Sequence, residues 1–305
     1  DNDREGELIA FLIFLLAKNK KPVKRILVNE WTPQDITRGL ENLKDEEDMR
    51  NLQAAGYTRL ITDWLIGINF TSVATLKYGN GKLLNIGRVI LPTVKLVYDR
   101  DMEIKNFVPK TYFEIEGNFK CANGTYKGKL IKGKETKFDT EEEAMAVIDS
   151  ITSKNGVISS KKVTKSKEYA PKLFSLTSLQ GYITSKYSHF TSDKVLNVCQ
   201  SLYEGKGKGG YITYPRTDSV YLEESLTDKA SQTLNRLKHG LPYEDKIKFA
   251  KTKRVFDSSK VDSHSAIIPT YIVPNSLTPD EQIVYQAIKD RFIANFMPPA
   301  EYENT

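Results

Sequence analysis

Cysteine, histidine and long apolar runs are all scarce in this 305-residue sequence, which has two cysteines and three histidines. Cys121 and Cys199 lie far apart, and neither has a second cysteine or a histidine at metal-ligand spacing. This pattern argues against a zinc site and a disulfide framework, and it fits a reducing cytoplasm. The longest apolar run, residues 8–17, is about half of what a bilayer crossing needs. We therefore expect a buried helix there and no membrane partner.

Charge of one sign does not dominate either. Lysine and arginine number 45 against 39 aspartates and glutamates, which gives a formal charge of +6. This mild basic excess suits a polyanionic partner without requiring one, because many enzymes with neutral ligands share it. Hydrophobic residues are 39% and charged residues 28% of the chain, as in ordinary globular proteins. The length exceeds one compact core, so two or more domains are expected.

The N-terminal part resembles the second half of an α/β unit. An acidic start is followed by a predicted helix at residues 7–18 and a predicted strand at residues 26–28. Because no strand precedes the acidic start, we expect the chain to begin inside a domain. Helical spacing covers residues 32–69, residues 79–81 (Gly-Asn-Gly) interrupt it, and Pro92 begins a further helix.

Residues 108–167 instead alternate apolar and polar side chains, which predicts strands. Asn-Gly at residues 123–124 is a hairpin turn signal, and residues 140–143 form a capping box for a short helix. A further strand is predicted to begin at residues 157–158. Four lysines within residues 161–167 fit a solvated edge strand more simply than a binding site.

Helices return in the last part of the chain. They are predicted at residues 175–188 and 192–203, before a glycine- and lysine-rich loop at residues 204–210 and a short strand at residues 211–214. The final helix begins at the capping box of residues 278–281, which has proline at the first helical position.

Three acidic residues at alternate positions, Asp1, Asp3 and Glu5, open the sequence. Carboxylates that alternate along an extended loop point to one side, which suits an oxygen-preferring cation such as Mg²⁺. The same residues also suit the start of a helix, where the macrodipole favours negative charge. By themselves they favour an ordinary helix terminus, and a metal site needs support from elsewhere in the sequence.

A second motif is more specific. Residues 212–219 read Ile-Thr-Tyr-Pro-Arg-Thr-Asp-Ser, and this octapeptide resembles the active-site signature of type IA DNA topoisomerases. Five further stretches resemble motifs of that family, its topoisomerase III branch in particular, and follow the family's order: Asp-Asn-Asp-Arg-Glu-Gly-Glu at 1–7, Asn-Glu-Trp-Thr at 29–32 (Asn-Glu-Ile-Thr in the family), Asp-Trp-Leu-Ile-Gly-Ile-Asn at 63–69, Gly-Arg-Val-Ile-Leu-Pro-Thr at 87–93 and Ser-His-Ser-Ala-Ile-Ile-Pro-Thr at 263–270.

The resemblance implies an α+β multidomain fold with four parts. Residues 1–48 would be the C-terminal part of a Toprim domain and residues 49–108 part of the domain with the strand-binding groove. Residues 109–173 would be part of a β-rich arch, and residues 174–305 the domain with the catalytic tyrosine. Two features depart from the family: its Toprim glutamate and nearby lysine have no match here, and Ile90 stands where glutamine is usual.

The same resemblance implies the catalytic residues. Tyr214 would be the nucleophile that joins the 5′-phosphate and frees a 3′-hydroxyl. Arg216 would stabilise the charge that develops on the phosphate oxygens. His264 would support the same phosphate or orient Asp218, and this role is favoured over the alternative of a structural histidine in the turn before Pro269.

A metal site and a DNA groove also follow from the resemblance. Asp1 and Asp3 would hold Mg²⁺, and Glu5 would assist both at the metal and in catalysis. Three further residues are implied in DNA binding, with ordinary surface positions as the alternative for the two arginines: Arg59, Asp63 and Arg88.

The predicted function is transient cleavage of one DNA strand, passage of a strand and religation without ATP. Single-stranded, negatively supercoiled and catenated DNA would be the partners, in the cytoplasm at the nucleoid. Two alternatives stay open: the topoisomerase part of a reverse gyrase, although no helicase-like motif is visible, and a non-catalytic module that binds single-stranded DNA. We expect the 305 residues alone to bind single-stranded DNA without relaxing a plasmid.

Overall fold

The computed structural model describes residues 3–28, 31–152, 154–205 and 209–305. Within these ranges the chain combines α-helices with short strands, as the resemblance implied. The helices are α1 (Arg4–Leu16), α2 (Pro33–Glu41), α3 (Glu46–Tyr78), α4 (Ile90–Lys105), α5 (Glu141–Ile151), α6 (Leu176–Lys186), α7 (Ser192–Glu204), α8 (Thr227–Lys238) and α9 (Pro279–Ala294). The strands are β1 (Lys24–Arg25), β2 (Lys44–Asp45), β3 (Phe113–Glu114), β4 (Glu116–Cys121), β5 (Gly124–Lys129), β6 (Lys137–Phe138), β7 (Thr164–Glu168) and β8 (Ala300–Asn304).

Each of these strands belongs to a two-stranded sheet, in the order β1–β2, β3–β6, β4–β5 and β7–β8. The longest pair is the hairpin β4–β5, in which Cys121 pairs with Gly124 across a two-residue loop. Gly124 has a φ of +144°, a conformation that side chains disfavour and glycine adopts freely. The hairpin turn predicted from Asn-Gly is therefore confirmed.

The described residues divide into two compact units. The larger unit comprises the chain up to Trp64 together with Lys165–Asn304, and the smaller unit comprises Leu65–Thr164. The four-part division implied by the family resemblance stays a prediction. None of the helices in the described ranges is both long enough and apolar enough to cross a bilayer.

The larger unit contains the two main hydrophobic clusters. In the first, α6, α7 and α9 pack around fully buried side chains such as Leu179, Val195 and Ile288. In the second, α8 packs against α9 around Leu234 and Phe292. Helix α9 contributes buried side chains to both clusters and therefore joins them.

Local sequence signals set several helix ends correctly. The hydroxyl of Thr278 accepts a bond from the Glu281 backbone N–H at 3.3 Å, and the Glu281 carboxylate accepts from the Thr278 N–H at 2.8 Å. The capping box predicted for α9 is therefore confirmed. Thr140 likewise caps α5 by accepting from the Glu143 N–H at 3.3 Å. At the C-terminal end of α7, Gly205 takes a left-handed conformation with φ of +63°.

The prediction of a buried first helix is wrong. Helix α1 begins three residues earlier than expected because Asp3 caps it, and its buried residue is Glu7. Ile9, Ile13 and Leu16 are instead exposed, Leu16 by 81%. Among the described residues, packing covers only the face of α1 turned towards α3, where a Cβ on Gly56 would stand 2.7 Å from the Arg4 carbonyl.

Three predicted boundaries also differ. Residues 26–28 do not form a strand, because β1 lies at Lys24–Arg25, where β2 provides a partner. The same β2 divides the helix predicted at 32–69 into α2 and α3. Residues 157–158 are exposed and irregular, and the strand of this region is β7, whose five residues are all exposed. Two of the lysines lie in β7, which fits the expectation of a solvated strand.

Candidate active site

Two segments of the larger unit that resemble family motifs lie side by side, and threonine hydroxyls join them. The Thr213 hydroxyl donates to the Ala266 carbonyl at 3.1 Å and accepts from the Ile268 N–H at 3.0 Å. The Thr270 hydroxyl donates to the Gly210 carbonyl at 2.5 Å. The strand predicted at 211–214 is thus reduced to one bridge, between residues 212 and 269. Two backbone bonds form this bridge, from the Thr213 N–H to the Ile268 carbonyl and from the Thr270 N–H to the Tyr211 carbonyl, both at 2.9 Å, and the threonine hydroxyls add to them.

The loop after Tyr214 is fixed in the same way. The Thr217 hydroxyl donates to the His264 carbonyl at 2.8 Å and accepts from the Ser219 N–H at 3.1 Å. The Thr217 carbonyl accepts from the Leu176 N–H at the start of α6, at 2.9 Å. Tyr214 therefore lies between two anchored threonines, at positions 213 and 217.

Thr213→Val should destabilise the larger unit by about 1–3 kcal/mol, because it keeps the shape and leaves two buried backbone groups without their partner. The free energy of unfolding, measured by urea denaturation, checks this. Thr62→Val, at an exposed position of α3, is the matched control and should change it by less than about 0.5 kcal/mol. Equal stability of both variants would contradict the bridging role of the hydroxyl.

Tyr214 is 7% exposed and packs between two aromatic rings. Its ring centroid lies 5.4 Å from that of Tyr203, edge to face, and 4.4 Å from that of His264. Burial raises the pKa of the Tyr214 phenol above its ordinary value, and the nearby Asp3 carboxylate raises it further, whereas the Arg216 guanidinium lowers it. The phenol is therefore neutral at neutral pH, and the cation beside it favours loss of its proton.

His264 is buried under the same loop. Its Nε2 lies 3.7 Å from the Asp3 Oδ2 atom, and within the described ranges neither ring nitrogen has a hydrogen-bond partner. Burial lowers the pKa of this imidazole below its ordinary value, although Asp3 acts in the opposite direction. A contact between His264 and Asp218, one of the two predicted roles, finds no support, because Asp218 is exposed and His264 faces Tyr214 and Asp3.

A cavity of about 730 Å³ opens beside Tyr214. Its wall combines cationic, acidic, amide, aromatic and apolar side chains: Arg25, Ile26, Leu27, Val28, Trp31, Gln200, Tyr203, Glu204, Tyr214 and Arg216. The Glu204 carboxylate accepts a hydrogen bond from the Gln200 amide at 2.7 Å. Arg216 is exposed, and Arg25 is held by Glu7, whose Oε2 accepts from its Nε at 2.8 Å. The cavity therefore offers a cation and a phenol to one ligand.

Of the three acidic residues predicted to bind a metal ion, the structure describes Asp3 and Glu5. Asp1 lies outside the described residues, so its predicted metal role is untested. Asp3 uses Oδ1 to cap α1, accepting from the Gly6 N–H at 2.7 Å, and Glu5 forms an ion pair with Arg59. The Asp3 contact is that of an ordinary helix N-cap, and the Glu5 contact is an ion pair between α1 and α3. Among the described residues, no group of three His, Cys, Asp or Glu side chains is arranged to hold a metal ion.

The predicted DNA-binding residues fall in both units. Arg59 and Asp63 lie one turn apart on α3 within the larger unit, and both are partly exposed. Arg88 is exposed in the turn before α4 of the smaller unit. Ile90 begins that helix, half exposed. Arg59 forms an ion pair with Glu5. The DNA-binding roles of these residues stay predictions.

Sequence reasoning missed Arg25 and Trp31 as neighbours of Tyr214. The sequence gives no signal for a role of Arg25, and Trp31 stands there only as a residue of the family-like stretch at 29–32. Both lie nearly 200 positions before the tyrosine, so no local pattern pairs them with it. The departure from isoleucine at position 31 was the one available signal.

Comparison with known proteins explains this arrangement. A family model described as DNA topoisomerase matches residues 47–305, including Tyr214, Arg216 and His264. The chain belongs to the DNA topoisomerase family. The family is thus the one that the ordered motifs indicated, and that prediction is confirmed.

Individual family members agree with this assignment. The chain is 36% identical to a DNA topoisomerase 3 of Staphylococcus saprophyticus and 34% identical to one of Staphylococcus aureus, across 99% of this chain and 42% of each relative. It is similar to the full-length topoisomerase I of Thermotoga maritima, with a TM-score of 0.71 and 29% identity, across 99% of this chain and 48% of that one. The chain therefore spans less than half the length of these topoisomerases.

Proposed function

We propose that this chain carries the strand-cleaving centre of a type IA DNA topoisomerase, with Tyr214 as nucleophile. The observation that supports this most directly is one cavity whose wall includes both Tyr214 and Arg216. A phosphate bound between the phenol and the guanidinium would face an attacking oxygen and a planar donor at the same time. His264 packs against the tyrosine ring, and Asp3 lies beside His264.

The chemistry of a phosphodiester explains why a tyrosine is needed. Attack by the Tyr214 oxygen forms a 5′-phosphotyrosine ester, breaks the bond to the 3′-oxygen, and leaves that oxygen as a hydroxyl once it is protonated. The bond energy stays in the ester, so religation by the same hydroxyl requires no ATP. Arg216 would speed both cleavage and religation, because the charge on the phosphate oxygens is greatest in the transition state that the two reactions share. Relaxation of negative supercoils and unlinking of catenanes would follow in the cell's nucleoid.

Mg²⁺ is the proposed cofactor, and the donors present suit it in part. This ion is usually bound through one or two carboxylates, waters and substrate phosphates rather than a full protein cage. Asp3 and Glu5 offer such carboxylates, with Asp1 implied by resemblance. Since Asp3 also caps α1 and Glu5 pairs with Arg59, these contacts would loosen when the ion binds. The ion would supply positive charge that positions the phosphate and the broken end.

The second candidate is a module that binds single-stranded DNA without cleaving it. It is favoured by the buried, neutral Tyr214 phenol and by the engagement of the described carboxylates with Gly6 and Arg59. A cleavage assay separates it from the first, since only the first leaves protein covalently attached to the 5′ end. A reverse gyrase would in addition couple relaxation to ATP.

The 305-residue chain should bind single-stranded DNA in a salt-dependent manner and should not relax a negatively supercoiled plasmid. With contacts from Arg59, Arg88 and Arg216, the logarithm of affinity should fall with the logarithm of salt at a slope of roughly −2. Fluorescence anisotropy at increasing salt measures this. Arg88→Gln should reduce the slope by roughly 0.7, whereas Arg100→Gln, which only breaks an exposed pair with Glu103, should not. Full relaxation of plasmid by this chain with Mg²⁺ would contradict the expectation that the 305 residues alone do not relax it.

A further inference from the structure

Trp31 is a large aromatic side chain that remains exposed beside the nucleophile. The residue is 49% exposed and belongs to the wall of the 730 Å³ cavity that also includes Tyr214 and Arg216. An indole ring left in water loses the stabilisation that burial would give it. Its place in the wall of this cavity therefore calls for a ligand with an apolar face.

The backbone that carries this ring is held at the Trp31 carbonyl and at the residue that follows it. The Trp31 carbonyl accepts from the Gly210 N–H at 2.7 Å, four residues before Tyr214. A Cβ at Gly209 would stand 3.1 Å from the same carbonyl, so the two segments are in close contact. The next residue, Thr32, is fully buried and caps α2 by accepting from the Asp35 N–H at 3.3 Å. The ring is thus exposed on an anchored segment rather than on a loose one.

We propose that Trp31 is a stacking platform for one nucleobase of the strand that Tyr214 cleaves. The proposal rests on the function proposed above and adds how the strand is positioned. The cavity pairs an aromatic face, which suits a base of any sequence, with a guanidinium, which suits the adjoining phosphate. Family-like sequence at this position has isoleucine, so the resemblance does not supply this role. Trp31 would act as a positioning residue, and Tyr214 would remain the catalytic one.

The composition of the chain allows a direct optical test, because it has two tryptophans. Trp64→Phe, on the exposed side of α3, leaves Trp31 as the sole indole. Titration of this variant with oligothymidylate should quench tryptophan emission as a base stacks on the ring. An abasic oligonucleotide of equal length should bind through its phosphates and leave the emission unchanged. Trp31→Phe leaves Trp64 as the sole indole and should show no quenching with either oligonucleotide.

Affinity gives a second, independent measurement. Trp31→Ala should weaken binding of oligothymidylate about 5- to 150-fold, the range expected for one stacked base. Trp31→Phe should recover most of this loss, whereas binding of the abasic oligonucleotide should be unchanged in both variants. If Trp31→Ala does not fold, as judged by circular dichroism, the quenching experiment still decides, because it retains Trp31.

Equal quenching by the abasic oligonucleotide, or wild-type affinity in a folded Trp31→Ala variant, would overturn the stacking role. These outcomes are separate from failure of the proposed function. A covalent adduct at Tyr214 without quenching of Trp31 emission would reject the platform alone. Quenching in a chain whose adduct does not depend on Tyr214 would reject the nucleophile and keep the platform.

Discussion

Tyr214→Phe is expected to abolish the covalent protein–DNA adduct while changing the affinity for single-stranded DNA by less than about two-fold. Only the nucleophilic oxygen is lost, because phenylalanine can keep the packing of the ring between Tyr203 and His264. The measurement is denaturing electrophoresis of 5′-end adducts on labelled single-stranded DNA. It uses a full-length topoisomerase that contains these residues, since relatives are more than twice as long as this chain.

Tyr203→Phe is the matched control for this prediction. Tyr203 belongs to the wall of the same cavity, and its ring centroid lies 5.4 Å from that of Tyr214. The control should keep the adduct, because a neighbouring phenol that does not attack phosphorus is dispensable for the covalent step. An adduct that survives in Tyr214→Phe and disappears in Tyr203→Phe would show that Tyr203, and not Tyr214, is the nucleophile.

Arg216→Lys should slow strand cleavage by about 100- to 1,000-fold, the loss typical of removing one donor that stabilises developing charge. Lysine keeps the positive charge but has no planar pair of donors for two phosphate oxygens. Arg216 is exposed and its loop is held by Thr217, so the substitution should leave the fold intact. Single-turnover adduct formation at saturating DNA measures the cleavage step separately from binding.

The control for the arginine is Arg236→Lys, at an exposed position in the last turn of α8 in the same unit. It makes the same chemical change away from the cavity and should leave the rate of cleavage unchanged. Near-normal cleavage in Arg216→Lys would mean that this residue only shapes the loop. Another cation would then stabilise the charge on the phosphate oxygens.

The features that could be predicted from the sequence depend on neighbours along the chain. The capping box at Thr278, the N-cap at Thr140 and the turn before Gly124 each need only three or four residues to form. The octapeptide around Tyr214 and Arg216 is specific enough to predict the family, which the family match confirms, whereas the catalytic roles of the two residues stay predictions.

What escaped prediction depends on contacts between distant segments. Strand β8, with the charged sequence Ala-Glu-Tyr-Glu-Asn, pairs with β7 without any apolar alternation that would reveal either strand. The cavity brings Arg25 and Trp31 to Tyr214 only after the chain has folded. The exposed apolar side of α1 could not be foreseen, because apolar residues in sequence predict burial whether or not a partner element is present.

The threonine bonds between the two motif segments also constrain how the site forms in time. Their partners are 47 to 60 residues apart along the chain. Tyr214 therefore leaves the ribosome well before the segment that fixes its loop, and closing that loop costs chain entropy that local structure cannot offset. Until residues 264–270 have been added, the Tyr214 segment can form only its contacts with earlier residues, such as the bond from the Leu176 N–H to the Thr217 carbonyl. The full set of bonds that fixes the loop around Tyr214 therefore forms only after Thr270 has been synthesised.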